Sequence, residues 1–228
     1  MEGKRRVQGM TPVERVLGHR FSDPDLLQRA LTHRSAGSRN NERLEFLGDA
    51  VLGLAIADLL YHRFSDADEG DLSRLRAHLV NRAMLARLAR ELSLGEHLRL
   101  GSGELKSGGR RRDSILADAF EAVLGALYLD AGYAAAAAVI QRLFEPHLEG
   151  LEPGVLKDPK TRLQEHLQAL GRPLPHYEVR EVAGEAHRQR FRVACRLEDE
   201  ARVTEGEGTS RRRAEQAAAA RMLEALGG

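Results

Sequence analysis

The chain has 228 residues, 42% of them hydrophobic and 30% charged, which is the composition of a globular protein with one large or two modest domains. The net charge of +1 excludes a strongly basic or acidic character, so any basic footprint for a nucleic acid must be local. No apolar stretch reaches the length of a membrane span, and residues 1–10 lack the apolar run of a signal peptide, which predicts no membrane partner. The single cysteine, Cys195, excludes an internal disulfide and predicts a cytoplasmic location.

Helix signals dominate residues 10–149. Thr11-Pro12 and Asp23-Pro24 each combine an N-cap residue with a proline in the first turn. The glycine-rich segment 101–109 predicts a loop that ends in three arginines. The longer predicted helices run from residue 42 to 63, 71 to 92, 115 to 129 and 133 to 148, with Gly132 as a break, and a short helix is predicted over 94–100. This pattern predicts an all-α N-terminal domain.

Residues 150–157 have the composition of a linker, and after them the sequence no longer has helical patterns alone. A helix is predicted from Asp158 to Gly171, followed by three alternating runs at 176–183, 189–197 and 201–205. Gly206 and Gly208 are expected to end the last run before a final helix over 210–226. The order α-β-β-β-α predicts a small α+β domain over residues 158–228.

Three acids define the most informative helix of the first domain. Glu42, Glu45 and Asp49 follow one another at i, i+3 and i+7, and therefore share one helix face. Apolar residues around them predict a helix that is buried almost all the way round. Buried carboxylates are costly without a cation, and a divalent metal ion would meet that need. The alternative is a solvated acidic face that pairs with Arg43.

A second acid pair lies on the apolar helix over 115–129, where Asp118 and Glu121 are again three residues apart. If the two helices pack face to face, Glu45 and Asp49 converge with this pair. Four carboxylates around one point would form the oxygen-rich shell that Mg²⁺ prefers in phosphoryl-transfer enzymes. Spacing alone does not decide between a metal site and two solvated acidic faces.

Four segments of the first domain resemble the bacterial ribonuclease III family. They are Asn41–Asp49, Asp68–Ser73, Gly103–Gly109 and Ser114–Ala122. Residues 158–228 are similar to a double-stranded-RNA-binding domain. The resemblance therefore implies an endonuclease domain over 10–149, a flexible linker over 150–157 and an RNA-binding domain over 158–228.

The resemblance implies an endonuclease that hydrolyses double-stranded RNA as a homodimer with Mg²⁺, for which Mn²⁺ is an alternative, and with no small-molecule cofactor. Products would carry 5′-phosphate and 3′-hydroxyl ends with short 3′ overhangs, and processing of rRNA precursors, mRNA and other RNAs is expected. The family's metal acids map onto Glu45, Asp49, Asp118 and Glu121, of which we assign Asp49 and Glu121 as the most sensitive. Glu42 and Glu69 match acids of the cleavage cleft or dimer interface.

The second domain supplies polar groups suited to two minor grooves and cations for the phosphates between them, a span of roughly 16 base pairs. The predicted RNA contacts are Thr161, Gln164, Glu165, His187, Ser210, Arg211, Arg212 and Arg213. Arg110–Arg112 of the first domain are either further contacts to the RNA backbone or part of a mobile, solvated loop.

Two other functions compete with the nuclease. A non-cleaving regulator that binds double-stranded RNA would have the same fold, but it would be expected to lose at least one of the four metal acids, and none is lost. An unrelated helical phosphohydrolase lacks support because no paired His-Asp metal motif is present. His33 is expected to be structural and Cys195 to be a core residue.

Overall fold

The computed structural model describes residues 9–154, 156–185 and 188–227, and the chain divides into two compact units, Met1–Pro153 and Gly154–Gly228. The first unit is helical and the second has three strands between two helices, which confirms the predicted fold class. The helices of the first unit are α1 (Pro12–Leu17), α2 (Pro24–Ala30), α3 (Glu42–Arg63), α4 (Glu69–Leu79), α5 (Arg82–Glu91), α6 (Leu94–His97), α7 (Ser102–Lys106) and α8 (Asp113–Leu148).

Local signals set most of the helix ends. Thr11 and Glu14 form a reciprocal capping box at α1, and the Asp23 side chain caps α2. Helical geometry in α8 is interrupted at Gly132, where φ is 80°, a value that glycine adopts without strain. The segment therefore consists of two helical parts that meet at Gly132, as the sequence predicts.

Two predictions of secondary structure in this unit are wrong. The single helix over 71–92 is divided, because α4 ends at Leu79 and the Asn81 side chain accepts a hydrogen bond from the Met84 amide at 3.0 Å to cap α5. The segment 101–109 contains α7, and a 3₁₀ turn follows at Gly109–Arg111, so this region is not an irregular loop.

Helices α3 and α8 pack against each other through the core of the first unit. Leu52 and Ile56 of α3 and Phe120 and Leu127 of α8 are all buried. The expectation that no apolar stretch reaches the length of a membrane span is wrong for α8, which is long and apolar enough to cross a membrane by length and composition alone, a property that it shares with the core helices of many soluble proteins. Its packing on α3 accounts for that apolar composition.

The prediction that α3 is buried almost all the way round is wrong. Phe46 is 80% exposed, Leu54 58% and Tyr61 68%. These three residues are about two helical turns apart from one to the next, and they therefore form an apolar stripe along one face of α3.

The second unit consists of α9 (Pro159–Ala169), β1 (His176–Ala183), β2 (Arg190–Arg196), β3 (Val203–Gly208) and α10 (Arg211–Leu226). The strands form an antiparallel sheet in the order β1-β2-β3. Leu163 and Leu167 of α9 and Met222 of α10 pack with Cys195 of the sheet in one core, as predicted for the cysteine.

Gly206 and Gly208 do not break the third strand, as the sequence had suggested, but belong to it. A Cβ atom on Gly206 would lie 2.2 Å from the backbone nitrogen of Ala218 in α10. The strand needs glycine there because the helix backbone lies directly on it.

Candidate metal centre and RNA-binding surface

Three carboxylates meet at the crossing of α3 and α8. One oxygen of each of Glu45, Asp118 and Glu121 lies within 4.8 Å of the other two. The three side chains are partly buried and line a cavity of about 710 Å³. The predicted convergence of acids from two helices is therefore found for these three residues, and the cluster is compatible with a divalent metal site.

Two glycines allow the helices to approach closely enough for this convergence. A Cβ atom on Gly48 of α3 would lie 1.8 Å from the backbone oxygen of Glu121, and one on Gly125 of α8 would lie 2.2 Å from the backbone oxygen of Leu44. Each glycine thus lies against the opposite helix backbone, beside an acid of the cluster. Neither glycine was predicted to be important, although a glycine inside a helix is a signal for close packing.

The cluster is electrostatically strained in the absence of a cation. Burial, followed by the charges of Asp49, Glu45 and Asp118, raises the pKa of Glu121 to about 8. Burial and then the charge of Asp118 raise the pKa of Glu45 as well. A divalent ion would replace these repulsions by attraction, which is the physical reason for such a site.

Burial also raises the pKa of Asp118, but nearby cations oppose this shift. Their effects rank in the order Arg82, His33 and Arg34. His33 itself caps a 3₁₀ turn over Arg34–Ala36, and its Nδ1 lies 2.8 Å from the Ser35 hydroxyl oxygen, so it has a structural partner. Sequence reasoning missed Arg82, because a continuous helix over 71–92 gave no reason to select it.

The remaining predicted acids differ in position. Asp49 is exposed and lines the same cavity without belonging to the three-residue cluster. Glu42 also lines the cavity and lies 3.7 Å from Arg34. Glu69 begins α4, accepts a hydrogen bond from the Ser73 hydroxyl at 2.7 Å and is not among the residues that line this cavity.

The three arginines at 110–112 lie in and beside the 3₁₀ turn rather than in an undefined loop. Arg110 donates to the Glu96 carbonyl at 3.0 Å, and Arg112 forms an ion pair with Glu104 at 2.8 Å. The Arg111 carbonyl accepts from Arg90 at 3.2 Å. Arg112 also lines the acidic cavity.

In the second unit, Thr161, Gln164 and Glu165 are exposed on α9, while Leu163 and Leu167 bury the opposite face of the helix. Glu165 forms an ion pair with Lys157 at 3.0 Å. The predicted contact His187 lies outside the described residues.

The arginine run begins α10 and Ser210 caps it, accepting from the Arg213 amide at 3.3 Å. Arg211 pairs with Glu215 at 2.8 Å, and Arg212 lies 3.5 Å from Asp158. All three arginines are exposed, so these pairs leave the guanidinium groups accessible to solvent and to an RNA phosphate.

A helical unit with a carboxylate-lined cavity, followed by an α-β-β-β-α domain with a cationic helix start, is the arrangement predicted from the sequence for a nuclease that acts on duplex RNA. Comparison with known proteins agrees with this class. The Ribonuclease-III-like family model matches residues 23–148, and the model of the double-stranded RNA binding motif matches residues 159–226. The chain belongs to the ribonuclease III family, and it is an endoribonuclease that binds double-stranded RNA.

Its relatives match along most of their length. Ribonuclease 3 of Alkalilimnicola ehrlichii is 60% identical over 211 residues, which cover 92% of this chain and 92% of that protein. Ribonuclease 3 of Dechloromonas aromatica is 59% identical over 215 residues, which cover 94% of this chain and 97% of that protein. A structure of the nuclease domain of ribonuclease III from Campylobacter jejuni, with structural flexibility in a region involved in dimer formation, matches with a TM-score of 0.60 and 45% identity, covering 62% of this chain and 99% of that one.

Proposed function

We propose that this endoribonuclease hydrolyses the phosphodiester bonds of double-stranded RNA with Mg²⁺, for which Mn²⁺ substitutes. The products carry 5′-phosphate and 3′-hydroxyl ends with short 3′ overhangs. The observation that carries the proposal is the cluster of Glu45, Asp118 and Glu121, whose oxygens lie within 4.8 Å of one another in an open cavity.

The donor set fits Mg²⁺ by its chemistry. All three groups are carboxylates, the hard oxygen ligands that Mg²⁺ selects over softer nitrogen or sulfur donors. We assign Asp49, which lines the same cavity, as the fourth ligand, and we assign Asp49 and Glu121 as the acids on which catalysis depends most. Glu42 and Glu69 are assigned to the cleavage cleft or dimer interface.

When bound, the metal ion would lower the pKa of the attacking water and neutralise charge on the departing 3′-oxygen. Glu45, Asp49, Asp118 and Glu121 would hold the ion, and the close crossing of α3 and α8 at Gly48 and Gly125 positions them. Burial and the neighbouring carboxylates raise the pKa of Glu121 to about 8, so binding of a divalent ion would favour loss of the proton from this group.

The direct test incubates the protein with a long RNA duplex in Mg²⁺ and, in parallel, with a chelator. We expect short duplex fragments only when metal is present, and end labelling should find phosphate at the 5′ ends. The same duplex should be retained by the protein in chelator, because the second unit binds it without metal. Retention without fragments in both conditions would instead indicate a non-cleaving RNA-binding regulator.

The proposed RNA contacts of the second unit are Thr161, Gln164, Glu165, His187, Ser210, Arg211, Arg212 and Arg213. The exposed polar face of α9 suits the 2′-hydroxyl groups of a minor groove. The first turn of α10 combines free backbone amides with three cations, which suits phosphates. We propose processing of rRNA precursors, mRNA and other RNAs in the cytoplasm, where the buried free thiol of Cys195 fits a reducing environment.

We further propose that the enzyme acts as a homodimer through the apolar stripe of α3. Phe46, Leu54 and Tyr61 expose large apolar areas that a partner would cover. A two-fold axis would place the same stripe on both protomers and provide one acid cluster for each strand of the duplex. The nuclease domain of ribonuclease III from Campylobacter jejuni has a region involved in dimer formation, which supports a homodimer for this chain.

Replacing Leu54 with Asp tests the dimer, because it places a charge in the middle of the stripe and away from the acidic cavity. We expect sedimentation equilibrium to shift from dimer to monomer, with a loss of about 2 kcal/mol or more in association free energy. Leu105→Asp is the matched control, since Leu105 is also exposed but lies on α7. A Leu54→Asp variant that stays dimeric would contradict this interface.

A further inference from the structure

One arginine in the acidic cavity has no hydrogen-bond or ion-pair partner among the residues that the structure describes. Arg82 is the first residue of α5, is exposed and lines the same cavity as the three acids of the cluster. It forms no hydrogen bond or ion pair with any of the residues that the structure describes.

The other arginines of the cavity already have anionic partners. Arg112 pairs with Glu104 at 2.8 Å, and Arg34 lies 3.7 Å from Glu42. Arg82 is therefore the arginine of this cavity that can bind an incoming anion without breaking an existing pair.

The charge of Arg82 acts on the acid cluster without touching it. It lowers the pKa of Asp118 and of Glu121, in opposition to the larger effect of burial. Arg82 and the carboxylates line one cavity of about 710 Å³, which an incoming phosphate group would share with a cation bound among the acids. A planar guanidinium also matches the two non-bridging oxygens of a phosphodiester, which it binds in a bidentate manner.

We propose that Arg82 contacts the phosphate group that is cleaved, and that it neutralises charge on a non-bridging oxygen as the reaction proceeds. This inference rests on the proposed function of the acid cluster. The contact becomes stronger as negative charge develops on the phosphate, so it supports the chemical step more than binding of the duplex.

The test compares Arg82→Gln and Arg82→Lys with Arg76→Gln. Arg76 is a suitable control because it is an exposed arginine of α4 that does not line the cavity. We expect Arg82→Gln to lower kcat on duplex RNA by about 10- to 100-fold while KM changes by less than about threefold. Arg82→Lys should recover part of the rate, and Arg76→Gln should match the wild type. Equal losses in Arg82→Gln and Arg76→Gln would overturn the proposal, because they would indicate a bulk charge effect.

A second measurement uses a duplex with one uncharged methylphosphonate at the cleaved position. The wild-type rate should fall strongly, and Arg82→Gln should lose much less from the same change, since the two modifications remove one interaction. Fully additive losses would overturn the proposal.

Titration with Mn²⁺ distinguishes two possible roles of Arg82, which are contact with the phosphate group and stabilisation of the metal-binding acids. Arg82→Gln should bind Mn²⁺ as tightly as the wild type or more tightly, because removal of a cation favours a second cation. Weaker Mn²⁺ binding would overturn the proposal.

If Glu121→Gln abolishes cleavage while Arg82→Gln cleaves at the wild-type rate, only the role of Arg82 fails. If Glu121→Gln cleaves at the wild-type rate, the proposed metal site fails, and the role of Arg82 fails with the metal site.

Discussion

Replacing Glu121 with Gln is expected to lower cleavage of duplex RNA in Mg²⁺ by about 10³-fold or more. Burial, and then the charges of Asp49, Glu45 and Asp118, raise the pKa of Glu121 to about 8, so this side chain lies at the centre of the repulsion within the cluster. A neutral amide of the same shape removes one anionic ligand and weakens the attraction for a divalent ion. The measurement is the single-turnover rate on a long duplex at saturating protein.

Binding of RNA separates this effect from damage to the fold. Glu121→Gln should bind the duplex in chelator within about twofold of the wild type, because the proposed RNA contacts that dominate affinity lie in the second unit. Glu91→Gln is the matched control: Glu91 is an exposed carboxylate of α5 that pairs with Arg87 outside the cavity. Turnover of Glu121→Gln within about tenfold of the wild type would contradict the assignment of Glu121 to the metal centre.

Stability of the metal-free protein gives a second readout for the same variant. The folded protein holds the Glu121 proton more tightly than the unfolded chain does, because the pKa is raised from 4.5 to about 8. The wild type therefore loses stability as the pH rises through this interval. Glu121→Gln has no such proton to lose, so at pH 8 in chelator its free energy of unfolding should exceed that of the wild type by about 1–2 kcal/mol.

Local sequence signals explain which features of the fold could be predicted. Periodicity, proline and capping residues are local signals, and they identified both acid-bearing helices, the break at Gly132 and the order of the second unit. The division at Asn81 was missed because the apolar spacing continues across the cap, so periodicity outweighed a single capping residue.

Features that depend on close contact between distant segments were not predictable from one sequence. Gly206 looked like a strand breaker, but its role is set by α10, whose backbone lies against it. The exposure of Phe46 likewise depends on which elements surround α3. The acids of the candidate site were found because they are charged residues in apolar helices, whereas Arg82 carries no such contrast with its surroundings.

Replacing Gly48 with Ala is expected to damage both the fold and the acid cluster. The new Cβ would lie 1.8 Å from the backbone oxygen of Glu121, so the two helices must separate or bend, and no flexible side chain can absorb the contact. We expect the free energy of unfolding of the first unit to fall by about 3 kcal/mol or more. Thermal denaturation followed by circular dichroism measures this loss.

Activity should fall in addition to stability. Below its melting temperature, Gly48→Ala would separate Glu45 from Asp118 and Glu121, and cleavage should fall by about 10²-fold even in the folded protein. Gly125→Ala should behave in the same way, since its Cβ would lie 2.2 Å from the backbone oxygen of Leu44. Gly103→Ala is the control, because a Cβ there meets nothing within 4 Å. If Gly48→Ala melted and cleaved like Gly103→Ala, the close crossing of α3 and α8 would not be what positions the acids.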